Sequence, residues 1–172
     1  KLDQQLIISP PLEKKNYEVK PLGGITKKIF INFLDSLQEN TTYTVNFGNS
    51  IVDNNEGNKM NFFSYIFSTG PTLDSLYLKG NIQDAFDIET EEFLSIQLYK
   101  IDSTYNDSII FNTQPTYLAN TLDSTNYRFN NLRKGQYMLI ALKDVSDNYF
   151  FDPFYDRIGF YDSLVSLPKD TL

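Results

Sequence analysis

Residues 42–47 read Thr-Tyr-Thr-Val-Asn-Phe, and they give the clearest indication of the secondary structure of this chain. Its apolar side chains, Tyr43, Val45 and Phe47, occur at every second position, whereas polar side chains occupy the positions before and between them. Successive side chains of a β-strand point to opposite faces of a sheet. The alternation therefore predicts a half-buried antiparallel strand with one face in a core.

Segments of the same kind recur along the chain. Each is short, rich in β-branched or aromatic residues, and bounded by Asn, Asp, Gly or Pro, as is typical of strands. The predicted strands are 28–33, 42–47, 62–67, 76–82, 93–101, 126–129 and 136–142. No segment of helical length repeats apolar residues at helical spacing, and the best helix candidate, residues 88–93, is short. The sequence predicts an all-β chain of two tandem antiparallel β-sandwich modules.

The composition removes several classes of function. The 172 residues include no Cys, no His and no Trp, while 41% are hydrophobic and 15% aromatic. Such a chain is expected to fold, but it offers no disulfide, no Cys or His metal ligand, and no imidazole base for a catalytic triad. A mean hydropathy of −0.36 argues against a membrane-spanning helix. We therefore expect a protein that is not an enzyme.

The negative charge is concentrated in the second part of the chain. Residues 1–70 hold seven acidic and seven basic side chains, whereas residues 71–172 hold fifteen and eight, so the net charge of −7 arises after Gly70. Gly70 and Pro71 also interrupt the strand pattern at this point. The sequence predicts two modules, residues 1–70 and 71–172. Net negative charge disfavours nucleic acid as a partner.

Three segments of the first module occur in an order typical of one family. They are NTTYTVNFG at 40–48, IVDNNEGN at 51–58 and FSTG at 67–70. Together they resemble the last half of a bacterial Ig-like domain of the surface-layer type. The resemblance implies an Ig-like sandwich whose opening strands would precede Ser9, and we expect them in sequence upstream of Lys1. For residues 53–58, the turn-forming composition favours a tight loop over a ligand site.

The second module carries a different pattern. LKGNIQDA at 78–85, IQLY at 96–99 and YRFNNLRKGQYMLIAL at 127–142 are similar to the transthyretin-like regulatory domains attached to carboxypeptidases and to collagen-adhesin repeat modules. The resemblance implies a seven-strand sandwich in which Tyr137, Leu139 and Ala141 alternate into the core.

The two modules together resemble a family of exported lipoproteins from a Gram-negative group. That resemblance implies a membrane anchor on a lipidated Cys upstream of Lys1. It also implies a location at the outer membrane, on the cell surface or on the periplasmic face.

Seven sites share one short pattern, in which Asp is followed by Ser or Thr and then by Ala, Ile, Leu, Val, Met or Thr. Random placement gives roughly 0.7 occurrences in this composition. The pattern resembles the O-glycosylation signal of the same Gram-negative group, which modifies exported proteins. A turn that begins at Asp-Ser and leads into a strand is the alternative explanation for part of the set. The predicted acceptors are Ser36, Ser75, Ser103, Ser108, Ser124, Ser163 and Thr171.

An acidic loop after Leu142 is the candidate for a bound ion. The predicted ligands are Asp144, Asp147, Asn148, Asp152 and Asp156. Calcium takes about six to eight oxygen ligands, often from such loops. An EF-hand is excluded, because its sixth position would be Tyr149 instead of Gly and its twelfth Tyr155 instead of Glu. Two interpretations stay open: a looser calcium loop, with no other cofactor, and a solvated acidic hairpin.

Aromatic residues accompany this loop. Tyr149, Phe151 and Phe154 are predicted to point outward and form an interface, while core packing is the alternative for the aromatic residues of this region. Two functions follow. One is a structural or docking role in a surface lipoprotein that packs on an outer-membrane β-barrel complex. The other is a carbohydrate-binding or adhesive surface module.

Overall fold

The computed structural model describes residues 5–60, 63–85, 93–121 and 125–168. The chain divides into two compact units, residues 1–73 and 74–172. Regular structure in the described ranges is almost entirely antiparallel β-strand, which confirms the all-β class. Among the elements that lie wholly within these ranges, the exceptions are a 3-10 turn at Lys14–Asn16 and a short α-helix, α1, at Ile109–Asn112. The helix candidate at 88–93 lies outside the described residues except for Phe93, which is in neither a helix nor a strand.

The described part of the first unit contains five strands. They are β1 (Ile7–Ser9), β2 (Tyr17–Lys20), β3 (Phe30–Phe33), β4 (Thr42–Asn46) and β5 (Ser64–Ser68). Strand β4 lies between β1 and β5 in a three-stranded antiparallel sheet, and β2 pairs with β3 in a separate two-stranded sheet.

The core of the first unit joins these two sheets. Tyr43, Val45 and Phe47 are buried in it, as the alternation of their strand predicts. Val19 of β2 joins the same cluster, so the two-stranded sheet packs on the three-stranded one. Thr42 is buried as well, although the pattern places it on the polar face. The polar face of β4 is therefore partly covered.

Thr69 and Gly70 are required by close packing at the end of β5. Thr69 Oγ1 donates a hydrogen bond to the carbonyl oxygen of Gln38 at 2.6 Å and accepts one from the backbone N–H of Thr41 at 2.9 Å. A Cβ on Gly70 would lie 2.8 Å from the Cα of Asn40, well inside van der Waals contact. This packing gives a physical reason for the FSTG segment.

The described part of the second unit contains seven strands. They are β6 (Leu76–Asn81), β7 (Ser95–Lys100), β8 (Tyr117–Asn120), β9 (Asn126–Leu132), β10 (Gly135–Lys143), β11 (Arg157–Phe160) and β12 (Val165–Leu167). One sheet follows the order β11-β10-β7-β8, with β12 also paired to β10, and β6 pairs with β9 in a second sheet.

Strand β10 is buried on both faces. Tyr137 and Leu139 are buried in a cluster that includes side chains of β6 and β9, and Ala141 packs against the same cluster, as the sequence predicts. Ile140 packs on the opposite face with Tyr99 and with side chains of α1. Strand β7 pairs along one edge of β10, whereas β12 and β11 pair in succession along the other. The acidic loop leaves the sheet from the end of this central strand.

Candidate functional site

The acidic loop joins β10 to β11, and its carboxylates fold the loop itself. Asp156 accepts two backbone hydrogen bonds, from the N–H of Val145 at 2.9 Å and from the N–H of Asp152 at 2.8 Å. Asp144 accepts the N–H of Tyr149 at 2.6 Å. These bonds join the beginning of the loop to its end.

The other predicted ligands act in a similar way. Asp152 accepts the N–H of Phe154 at 2.9 Å, and Asn148 accepts the N–H of Phe150 at 2.8 Å. Bonds of this kind, from a side-chain oxygen to an N–H two residues on, are Asx turns. Asp147 has a positive φ of 55°, which Asp tolerates better than most residues. Loop geometry alone therefore accounts for these residue types.

The environment of Asp144 disfavours negative charge. Burial raises the pKa of its carboxyl above the ordinary value, and the charges of Asp156 and Asp147 raise the pKa further. The backbone N–H groups of Tyr149 and Asp147 act in the opposite direction, but they do not outweigh burial. Within the described residues, no group of three or more acidic side chains is arranged to hold a metal ion. The calcium site stays a prediction, without a preformed cluster.

The aromatic residues of the loop divide into exposed and packed side chains. Phe154 is 89% exposed and Tyr155 is 74% exposed. Tyr149 is half-buried. Phe151 is half-buried too, with its ring centroid 5.5 Å from that of Phe111 and its side chain against the core cluster that contains Ile140. The expectation of an outward Phe151 is therefore corrected, because this ring packs beneath the loop.

Gln97 is a residue that sequence reasoning missed. It lies on β7 and is fully buried, and its Nε2 donates to Ser95 Oγ at 3.1 Å and to the carbonyl oxygen of Tyr149 at 3.4 Å. Its Oε1 accepts the hydroxyl of Tyr99 at 2.9 Å. Burial raises the pKa of Tyr99 well above its ordinary value, and the charge of Asp144 adds to this. The available signal was an amide side chain within the apolar run IQLY.

Five of the seven predicted glycosylation acceptors lie in the described residues, and all five are exposed. They are Ser36, Ser75, Ser103, Ser108 and Ser163. Each lies outside the strands and outside α1. Ser124 and Thr171 lie outside the described residues. The described acceptors are thus accessible to a modifying enzyme.

The Asp of this pattern also stabilises turns. Asp35 accepts the N–H of Ser36 at 2.7 Å. Asp102 accepts both the N–H of Thr104 at 2.9 Å and its hydroxyl at 2.7 Å, and these bonds lower the pKa of Asp102. The turn explanation and the glycosylation explanation are therefore compatible at these positions.

The loop at residues 53–58 is closed by its own groups. Asp53 accepts the N–H groups of Asn55 at 3.0 Å and Glu56 at 2.8 Å, and Gly57 adopts a φ of 72°. This geometry agrees with the tight loop that the composition favours over a ligand site.

Comparison with known proteins finds a similarity in the first part of the chain. Residues 3–69 match the family model of the bacterial Ig-like domain, Big_5. This match supports an Ig-like domain over strands β1 to β5. No curated protein and no solved structure matches the chain significantly. Among the helices that the structure describes, none has the length and apolar character needed to cross a membrane.

Proposed function

We propose that the chain forms non-catalytic structural and docking modules of an outer-membrane or cell-surface lipoprotein that packs on an outer-membrane β-barrel complex. The observation that carries this proposal is the Ig-like match at residues 3–69 of an all-β chain. Bacterial Ig-like domains are usually extracellular or surface modules and are typically non-catalytic. The docking role, the lipid anchor and the β-barrel partner are the proposed refinements of that coarser function.

Exposed apolar side chains support the docking role. In the first unit, Ile25 is 82% exposed and Leu22 is 59% exposed, and in the second unit Phe154 is exposed in the acidic loop. Single exposed apolar residues are ordinary, but exposed apolar neighbours such as Leu22 and Ile25 are typical of an interaction surface. The second unit is proposed to be a transthyretin-like, carboxypeptidase-regulatory-like sandwich, supported by its two antiparallel sheets.

Purification of the natural protein from outer membranes in mild detergent tests the docking role. We expect a stable complex in which a β-barrel membrane protein is present in fixed ratio to this chain. An untagged strain processed in parallel controls for carry-over of abundant membrane proteins. Recovery of the chain as a free monomer, with no barrel in fixed ratio, would overturn the proposal.

Two measurements on intact cells test the anchor and the location. Metabolic labelling with a fatty acid is expected to label the natural protein, because a lipidated Cys carries the anchor. External protease is expected to cleave the protein if it faces the medium and to spare it if it faces the periplasm. A protein that takes up no fatty acid and stays in the aqueous phase after detergent partition would remove the lipoprotein assignment.

Glycosylation at the Asp-Ser and Asp-Thr pattern is part of the same proposal. Its support is that the acceptors Ser36, Ser75, Ser103, Ser108 and Ser163 are all exposed and lie outside strands. A sugar there would add bulk and solubility without entering a core. Intact-mass measurement on native material is expected to show added hexose, which substitution of the acceptor by Ala removes site by site. A native mass fully accounted for by the polypeptide and its lipid anchor, with no hexose added, would refute it.

Carbohydrate binding is the second candidate function, and the exposure of Phe154 and Tyr155 favours it. Exposed aromatic rings can stack on sugar rings, because they combine a large contact area with little loss of conformational entropy. Binding on a glycan array is expected to be lost on Phe154→Ala. Leu164→Ala, at an exposed apolar side chain outside the loop, is the matched control. Absence of binding to any glycan would leave the docking role alone.

A further inference from the structure

The first unit contains a groove that its own side chains leave open. The groove has a volume of about 700 Å³ and is lined by β3, β4, β5 and the loop at residues 21–28. Val45 and Phe47 of the buried core are among the residues that line it. Ligand sites in proteins commonly have volumes of roughly 300–1,000 Å³ and mainly apolar walls. The groove therefore has the size and the lining of a binding site.

Two edge strands border this groove. Among the described residues, β3 pairs only with β2, and β5 pairs only with β4. Alternate residues of both strands line the groove, namely Ile31 and Phe33 from β3 and Tyr65 and Phe67 from β5. An edge strand presents backbone N–H and C=O groups to any further strand. The groove thus combines places for apolar side chains with backbone groups that a strand can pair with.

The apolar lining is exposed more than core residues of a closed sandwich would be. Leu22 is 59% exposed, Tyr65 is 57% exposed and Val52 is 48% exposed. Exposed apolar side chains that share one groove are typical of a site of interaction.

The charge of the lining selects the partner. Lys27 and Lys28 are the only charged side chains among the described residues that line the groove. No ion pair of the described residues includes either lysine. Two lysines without acidic partners beside an apolar groove favour an occupant with apolar and acidic groups. An anionic amphiphile meets this requirement too, but it would leave the two edge strands unused.

We propose that the groove binds an extended β-strand of a partner protein, in which apolar and polar side chains alternate and acidic residues stand at the ends. Its backbone adds to the edge of β3 or β5, its apolar side chains enter the groove, and its acidic residues pair with Lys27 and Lys28. The inference rests on the docking function proposed above and deepens it by naming the chemistry of the partner segment.

A short fluorescent peptide tests this inference on the 172-residue chain. The peptide has about seven residues, long enough to span β5, and alternates Val with Thr between terminal Asp residues. Fluorescence anisotropy is expected to show saturable binding. Hydrogen exchange is expected to show new protection of backbone amides in β3 or β5. Equal binding of a scrambled peptide of the same composition, or protection in neither strand, would overturn the inference.

Charge reversal separates specific pairing from general adhesion. The double variant Lys27→Glu, Lys28→Glu is expected to bind the Asp-ended peptide at least about tenfold more weakly and to prefer a Lys-ended peptide of the same apolar pattern. Lys79→Glu, at an exposed lysine of the second unit, is the matched control and is expected to bind like the wild-type chain. Circular dichroism and thermal melting verify that each variant is folded. Affinities that do not change with the reversal would overturn the inference.

Three other results would assign the groove to a different occupant and overturn the inference. Laurate that binds tightly and displaces the peptide without strand protection would indicate an amphiphile site. A dimer that forms as the protein concentration rises, and that no longer binds the peptide, would indicate that a second copy of the chain occupies the groove. If the peptide binds residues 1–172 but not the protein from its natural source, a segment of the same polypeptide occupies the groove in the natural protein. Failure of peptide binding while the β-barrel complex still purifies would remove this inference and leave the proposed function intact.

Discussion

Tyr127 of β9 lies directly opposite Gly80 of β6, and its ring occupies the space that a side chain at position 80 would need. A Cβ on Gly80 would lie 2.5 Å from Cζ of Tyr127 and would also clash with the hydroxyl oxygen. The ring of Tyr127 is buried and packs edge-on against Phe129 in the core of the second unit. A glycine covered by a cross-strand aromatic ring is a known way of pinning the register of two strands.

Gly80→Ala is expected to destabilise the chain by about 1–3 kcal/mol, because Tyr127 must leave its packed position to admit the methyl group. Urea unfolding measures the change. Gly159→Ala is the matched control, since a Cβ there would meet only the Cβ of Ala141 at an ordinary 3.9 Å. The control is expected to change stability by less than about 0.5 kcal/mol. Equal changes in the free energy of unfolding for the two variants would show that the ring of Tyr127 can move aside without loss of stability.

Tyr99→Phe is expected to lower the free energy of unfolding by about 1–3 kcal/mol. The substitution removes the hydroxyl that donates a hydrogen bond to the buried Oε1 of Gln97, and this oxygen is left without that donor. Gln97 also donates a hydrogen bond to the carbonyl oxygen of Tyr149 in the acidic loop. Because the substitution frees the side chain of Gln97 to move, hydrogen exchange in the loop is expected to accelerate. Tyr155→Phe is the control, since Tyr155 is mostly exposed. Unchanged stability of Tyr99→Phe would mean that another group satisfies Gln97.

Stability is expected to fall at alkaline pH through Tyr137. Its hydroxyl donates to the carbonyl oxygen of Arg133 at 2.9 Å, and burial raises its pKa well above the ordinary value. A tyrosine in the unfolded chain ionises near pH 10, before the folded one does. The contribution of the Tyr137 hydroxyl to the free energy of unfolding is therefore complete below about pH 10. It is lost as the pH rises from there toward the pKa of Tyr137 in the folded chain. Urea unfolding between neutral and alkaline pH is expected to show a smaller stability difference between wild type and Tyr137→Phe as pH rises. Parallel pH profiles would contradict this.

The calcium interpretation of the acidic loop has a simple thermal test. The carboxylates of Asp144, Asp152 and Asp156 already accept backbone hydrogen bonds, and calcium would have to compete with these bonds. We expect the melting temperature to be the same with about 1 mM calcium, a concentration that extracellular modules respond to, and with chelator. A rise in melting temperature with calcium, lost on Asp144→Asn, would establish the site that the sequence predicts.

The strands that the sequence predicts are those with a strong pattern of their own. Each of the seven predicted segments overlaps an observed strand, and Tyr43 and Val45 are fully buried. The strands that were missed include β1, β2 and β12, of three or four residues each. Such short segments contain too few residues for a period to be visible, and they become strands through pairing with a longer neighbour. β12, for example, pairs with the beginning of β10.

The geometry of the candidate site is harder to predict from the sequence than the strands are, for a related reason. Residue types identified the acidic loop, but they did not show that Asp144 and Asp156 accept backbone N–H groups of the loop itself. Nor did they show that Phe151 packs beneath the loop while Phe154 stays exposed. A loop has no period, so the direction of each side chain depends on contacts that only the folded chain makes. The groove beside Tyr65 depends on how three strands and the loop at residues 21–28 come together, and no pattern in the sequence indicates it.

The two short strands at the end of the second unit determine where the chain can be shortened. Strand β12 covers Gly135–Tyr137 and β11 covers Ile140–Lys143, so together they protect one long edge of β10 from other molecules. A polypeptide cut before Val165 would keep β11 but leave the start of β10 open. An uncovered strand edge next to a buried apolar face is a template for aggregation. The last strand of the described chain thus shields the start of β10 from pairing with other molecules, in addition to completing the sheet.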